Sequence, residues 1–367
     1  MKYSLLTKTF GGLGIGLALL GTTAKADHHS IIYTMDNATP ANHVLIFQAE
    51  DSGQVTSAGS VATGGAGAGA GLSDQSSVVL SHDGQWLFVC NAGSDEISVF
   101  STAGNHLELV DKVSSGGQMP LSLALHHNLL YVLNAGGLVG SQDNITGFFF
   151  VDGHLVPLPD STRALSGTNT GPAEVAFTRD GNTLIVTERL SNLIDTFTIG
   201  DDGLAATHQT FASSGADPFG FSVGHNDRIF VSEATDGTAS SYSVSDDGDL
   251  NVISASVPTK QKAPCWLALT PDERYAYTAN AGSGTLSGFS VAPNGSLHLL
   301  ESDGIAANIG SGSHPVDMAP SLDGRFLFSL ANGNGTLNAF RVNENGSLTA
   351  LGVASGIPAT AAGLAAR

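Results

Sequence analysis

Apolar and polar residues alternate with a period of two through most of this chain, in short runs broken by Asp, Asn, Gly and Pro. Residues Pro264 to Leu300 show the pattern at its clearest. CWLALT is apolar, PDER is a turn, RYAYTAN alternates, and AGSG is a loop. TLSGFSV alternates again, PNG turns, and SLHLL closes the unit. Such alternation, punctuated by turn formers, predicts short β-strands joined by hairpins. Helix-period runs are nearly absent.

The unit recurs. It begins after Gln75 with VVLSHDGQWLFVCNAGSDEISVF, and then restarts at Pro120, Pro172, Pro218, Pro264 and Pro315. Eight positions after each proline stands a turn residue: Asn128, Asp180, Asn226, Asp272 and Asp323. A second turn recurs near the end of each unit, as VDG, DDG, DDG, PNG and ENG. That makes six full units. The tail AAGLAAR reads as the opening strand of a seventh, whose remaining strands are IIYTM (31–35) and HVLIF (43–47). The prediction is an all-β, seven-bladed β-propeller with four-stranded blades. Pairing of the C-terminal strand with the N-terminal blade closes the ring and removes the exposed end edge. Residues 27–367 are expected to form one domain, because no blade can bury both its faces alone.

The first 26 residues read differently. Lys2 and Lys8 precede a short apolar core, Phe10 to Leu20, and Ala24-Lys25-Ala26 has the small-x-small form of a cleavage site. This is the pattern of a secretory signal peptide, with a core too short to span a membrane. The expected location is periplasmic or secreted. Loss of three lysines and no acid takes the formal net charge from −19 to −22. A chain so acidic repels nucleic acid and anionic membrane. Cys90 and Cys265 are too few for a disulfide framework. The Gly/Ala/Ser-rich stretch Ser57 to Gly71 has no hydrophobic period and reads as a flexible loop. It lacks the strand, helix and later acid that a dinucleotide fingerprint needs. No EF-hand spacing occurs, and neither a metal nor a cofactor is expected. The new terminus Asp27-His28-His29 could chelate Cu(II), a property generic to such termini. The chain is expected to be a monomer that receives a small-molecule substrate or ligand in its central channel.

In a propeller, the loops entering the innermost strands and those joining second to third strands share one face. By this register that face collects Gln118, Met119, Asp217, Ala263, Cys265, Trp266 and His314. It also collects Asn91, Asn134, Glu188, Arg189, Glu233 and Asn280. The DG turns go to the opposite face. Asn91, Asn134 and Asn280 recur in N-A-G, where turn formation explains them as well as ligand binding does.

The stretches LSHDGQWLFVCNAGSDEISVF, FTRDGNTLIVTE and SHPVDMAPSLDGRFLF resemble the lactonase family of seven-bladed propellers, which includes 6-phosphogluconolactonases and carboxymuconate-cyclising enzymes. The resemblance covers essentially the whole mature chain. It implies a lactone hydrolase with its pocket at the channel mouth. His314, before Pro315, and Glu233, in VSEA, stand at positions where the family has a His-Pro and a Glu. The expected catalytic set is His314 and Glu233 to activate water and Arg189 to hold the developing oxyanion. Glu188, Cys265, Trp266, Asp217 and Asn280 are expected to shape the substrate pocket. Where phosphogluconolactonases carry Pro-Arg-His, this chain reads Pro218-Phe219-Gly220. Where the family often has His-Pro-Arg, it reads His314-Pro315-Val316. Arginines of that kind hold phosphate, so the expected lactone is not phosphorylated. The alternative is a non-catalytic exported propeller that binds a partner or small ligand on the same face.

Overall fold

The computed structural model describes Met1, residues 29–103 and residues 106–367. The proposed leader and the Asp27-His28 terminus lie outside these, apart from Met1. Among the described residues, seven antiparallel sheets succeed one another along the chain. Five have four strands, and two gain a short extra strand beside the third. Within blades 2 to 7 the strands pair in sequence order from the axis outward. Blades 3 to 7 open on the predicted prolines, with inner strands Pro120–His126, Pro172–Phe177, Pro218–Val223, Pro264–Leu269 and Pro315–Pro320.

Ring closure follows the sequence reading. The C-terminal strand Ala362–Ala366 is the inner strand of blade 1, and Ser30–Met35, His43–Ala49 and Val55–Ala62 complete that blade. Arg367 extends the join, donating to the carbonyls of Gly84 and Thr102 in blade 2. Apolar residues fill the seams between blades in large clusters, one spanning blades 5, 6, 7 and 1 and another blades 1 to 4. Burying side chains on both faces of each sheet accounts for near-continuous apolar runs such as Leu129–Leu133. No helix among the described residues is long and apolar enough to cross a membrane.

Residues 57–71 differ from the expected loop. Val55–Ala62 is the outer strand of blade 1, and its small, polar residues fit an exposed outer edge. The glycines that follow mark close approaches rather than slack. A Cβ on Gly65 would lie 2.5 Å from the Asn91 side chain, and one on Gly67 would lie 2.1 Å from the Asn37 backbone. Gly67 N and Gly69 N donate to Ala38 O and Asn37 O. The segment crosses from blade 1 to blade 2 pinned by backbone hydrogen bonds, and its continuation enters the channel.

Candidate functional site

Each inner strand of blades 3 to 7 begins at a corner. The residue before its proline is left-handed: Met119, Gly171, Asp217, Ala263 and His314 have φ between 48° and 63°. A β-bulge follows in every one of these strands. In blades 4 to 6 the corner carbonyl accepts the N–H of the residue just past the second strand, as from Arg189 to Gly171 and from Ala234 to Asp217, and in blade 3 that of the strand's last residue, Ala135. These corners form the entry rim of the channel, on the face that the register predicts.

The polar residue at or next to the end of the second strand does not belong to that rim. Asn91, Asn134, Glu188, Glu233 and Asn280 are all fully buried. Each turns into its own blade and ties the second strand to the third. Asn91 donates to Ser98, Asn134 to Asn144, and Asn280 to Thr285 and Ser287. Glu233 is a saturated acceptor. It takes Ser240 Oγ at 2.6 Å, Gly215 N at 2.7 Å and Ser213 Oγ at 3.3 Å, together with Thr238 Oγ1. Glu188 accepts from Ser166 and Ser191. It also stands beside Asp195, whose carboxyl is raised by burial first and by the Glu188 charge second. The structure thus holds Glu188, Glu233 and Asn280 inside their blades, beneath the rim on which the register places them. Asn91 and Ser98, Glu188 and Asp195, Glu233 and Ser240, and Asn280 and Ser287 each stand seven positions apart. These pairs are blade locks that satisfy a buried strand end.

The remaining predicted residues separate into two groups. Arg189, Asp217, Cys265 and Trp266 come together. Arg189 Nε donates to Asp217 Oδ1 at 3.0 Å, and the guanidinium lies 4.5 Å from the centroid of Phe219. The Phe219 ring meets Trp266 at 4.9 Å. Among the described residues Asp217 Oδ2 takes only a long bond from Thr235, 3.3 Å. The Arg189 side chain is about one quarter exposed, and its terminal nitrogens make no hydrogen bond within the described residues. Cys265 stands nearby but is buried, and burial pushes its thiol up to about 12, which favours the neutral thiol over a thiolate at neutral pH. His314 is exposed on the rim of blade 7, with no hydrogen bond to this group.

The entry end of the channel is closed. Segment 72–77, leading into blade 2, crosses the axis to reach blades 4, 5 and 6. Gln75 N donates to Ala173 O, and its side-chain amide donates to Phe221 O and Leu267 O and accepts from Leu267 N. Trp266 Nε1 donates to Asp74 O at 2.5 Å. The amide of Gln75 occupies the space beside Gly220, where a Cβ would lie 2.0 Å from its Oε1.

Three carboxyls surround this plug, each nearly inaccessible: Asp74, Glu174 and Asp317. Glu174 accepts from Ser76 Oγ at 2.8 Å and Phe221 N at 2.6 Å, while one oxygen each of Asp74 and Asp317 has no partner among the described residues. Burial raises all three, Asp74 to about 7, Glu174 to about 8 and Asp317 well above its ordinary range. They do not converge as a metal-ligand set among the described residues. Sequence reasoning passed over them, yet a signal existed. Glu174 and Asp317 each stand two residues after the proline of an otherwise apolar inner strand.

Beyond the plug the channel is a cavity of about 1070 Å³ that opens among the DG turns, on the face opposite the rim.

The comparisons with known proteins agree with this architecture. The sequence profile of the Lactonase family, described as a 7-bladed beta-propeller, matches residues 24–148, 153–233 and 224–364. This chain belongs to that family. An uncharacterized protein of Staphylococcus aureus (strain USA300) is 53% identical over 45 residues, a match that spans 12% of this chain and only 13% of that protein. Among solved structures, the periplasmic gluconolactonase of Pseudomonas aeruginosa superposes with a TM-score of 0.71 at 16% identity, covering 92% of this chain and 98% of that one. A proposed 6-phosphogluconolactonase from Bacteroides uniformis gives 0.74 at 19% identity, covering 92% and 99%. At such identities the likeness is one of fold. In this chain Phe219 seats Arg189 and Gly220 admits Gln75.

Proposed function

We propose that this lactonase-family propeller is an exported hydrolase that opens a non-phosphorylated lactone on the entry face. The carrying observation is Arg189. Its guanidinium is fixed by Asp217 and by the face of Phe219, while its terminal N–H groups stay uncommitted. Such a pre-positioned fork suits a carbonyl oxygen that gains negative charge. In this reading Asp217 Oδ2 takes a proton from water as the water oxygen bonds to the lactone carbonyl carbon. The carbonyl electron pair becomes an oxyanion on the Arg189 fork. Collapse breaks the ring C–O bond, the proton returns from Asp217 to the departing oxygen, and a hydroxy acid leaves. Arg189 and Asp217 together carry no net charge, and Phe219 and Val316 stand where the family carries arginine. Both features favour an uncharged substrate over a phosphate ester. The periplasmic gluconolactonase among the structural neighbours supports the same direction.

The test is acid release from glucono-1,5-lactone, other neutral lactones and 6-phosphogluconolactone by the mature protein. Arg189→Ala should lower kcat/KM by about 10²-fold or more, with Asp217→Asn similarly impaired and neutral lactones preferred. Hydrolysis unaffected by Arg189→Ala would remove the proposed site, and one lost in His314→Ala alone would move the base to blade 7. The sealing of Glu233 and the plug at Gln75 favour a second reading, in which the same fork binds a ligand without turnover. Saturable calorimetric binding of a lactone with no acid release selects that reading.

A further inference from the structure

The open shaft on the turn face plays no part in the reaction above. Its volume, about 1070 Å³, is at the upper end of cavities that hold small molecules, roughly 300–1,000 Å³. It ends blind at Gln75, Ser76 and Glu174, and its wall includes half-buried apolar side chains such as Leu125, Val223 and Leu269. Between blades 2 and 3 it reaches Trp86 and Phe150, whose rings meet edge-on at 5.1 Å. Apolar surface in a pre-formed concavity is stabilised by an apolar occupant.

The rim states which end of that occupant faces outward. Its acids are already engaged. Asp83 accepts from Ser81 Oγ and Gln85 N. Glu273 accepts from His225 N at 2.5 Å and faces the His225 ring at 3.4 Å and Arg179 at 3.6 Å. The groups left over are donors. The exposed rings of His82 and His127 make no hydrogen bond within the described residues, and the half-exposed Arg179 guanidinium has only its long contact with Glu273. These three come from the first turns of blades 2, 3 and 4, and all border the cavity.

We propose that the turn-face shaft is a second binding site, separate from the Arg189 rim, for an aromatic or alkyl monocarboxylate. The apolar body lies in the shaft against Trp86 and Phe150, and the carboxylate meets the His82, His127 and Arg179 donors at its mouth.

The chain has two tryptophans. Trp86 lines the shaft, whereas Trp266 is buried at the entry end. Titration of the mature protein with 3-phenylpropionate and with octanoate should give saturable quenching and a one-site calorimetric isotherm. Trp86→Phe should lose the optical signal while keeping the heat. The His82→Ala/His127→Ala and Arg179→Glu variants alter exposed side chains and should fold. Each should weaken carboxylate binding by about tenfold or more and leave 3-phenylpropan-1-ol, the neutral match, unchanged. Arg189→Ala should leave all three probes unaffected. The proposal fails if the wild type shows no saturable heat, or if the rim variants bind the carboxylates as tightly as it does. It also fails if Arg189→Ala abolishes binding, which would place the ligand on the entry face. Because the probes are not lactones, these results stand apart from the fate of the hydrolase reading.

Discussion

Gln75 and Gly220 share one site: the glycine has no side chain, and the glutamine amide fills the space that a side chain would need. The amide makes three hydrogen bonds there to the backbones of blades 5 and 6. Gly220→Ala should expel it. At about 1 kcal/mol per neutral bond, the expected loss is about 3 kcal/mol in urea denaturation. Gln75→Ala should lose less, because water can enter from the shaft. The double variant should cost little more than Gly220→Ala alone, since both changes break the same bonds. Additive losses would mean that the two residues act independently.

Glu233 tests whether sequence position or local packing decides a residue's role. Its carboxylate accepts from three hydroxyls, those of Ser213, Thr238 and Ser240, and from the N–H of Gly215. Removing it leaves buried donors without an acceptor, so Glu233→Ala should destabilise by about 3 kcal/mol. Folded Glu233→Gln, assayed below its unfolding transition, should hydrolyse any substrate of the wild type at a similar rate. A soluble, fully stable Glu233→Gln without activity would return the residue to the chemistry.

The fold was legible because its signals are local and repeated. Period-two alternation, the proline that opens each inner strand and the turn eight residues later recur in blade after blade, and the tail matched an opening strand. The rim corners were legible for the same reason. Side-chain direction at the end of the second strand was not. A β-bulge after each proline shifts the register there, and a buried acceptor such as Glu233 looks the same in sequence as an exposed one. The plug was hidden for another reason. Gln75 meets Leu267, 192 residues away, and no repeat encodes a contact made once. The local clue was Gly220 itself, an interruption in an apolar inner strand.

The cysteines give a direct test of accessibility. Cys90 is fully buried and Cys265 nearly so, and burial raises both thiols, Cys265 to about 12. Neither should react with Ellman's reagent at pH 8 in the folded protein, and both should react in urea. Rapid labelling of native Cys265 would show that the entry rim opens in solution.

The plug carboxyls predict an unusual dependence of stability on pH. Asp74 titrates at about 7 in the folded chain against 3.8 for a free side chain, and Glu174 at about 8 against 4.5. Between those limits the folded state holds protons that the unfolded state has released. Stability contributed by these groups is therefore fully present below about pH 4 and declines as pH rises to about 8. The decline is up to about 1.4 kcal/mol per pH unit for each group. Asp317 is displaced in the same direction. Exposed acids such as Asp83 and Asp323 are shifted down by hydrogen bonds, so they act in the opposite sense but below the ordinary carboxylate range. Urea denaturation at pH 5 and pH 8.5 should show the wild type less stable at the higher value. Glu174→Gln keeps an acceptor for Phe221 N and a donor for Ser76, without a charge to bury. It should match the wild type at pH 5 and exceed it at pH 8.5, as Asp74→Asn should to a smaller degree. An unchanged slope in both variants would mean that the plug carboxyls are solvated in the native protein, and that the entry end of the channel is open to water.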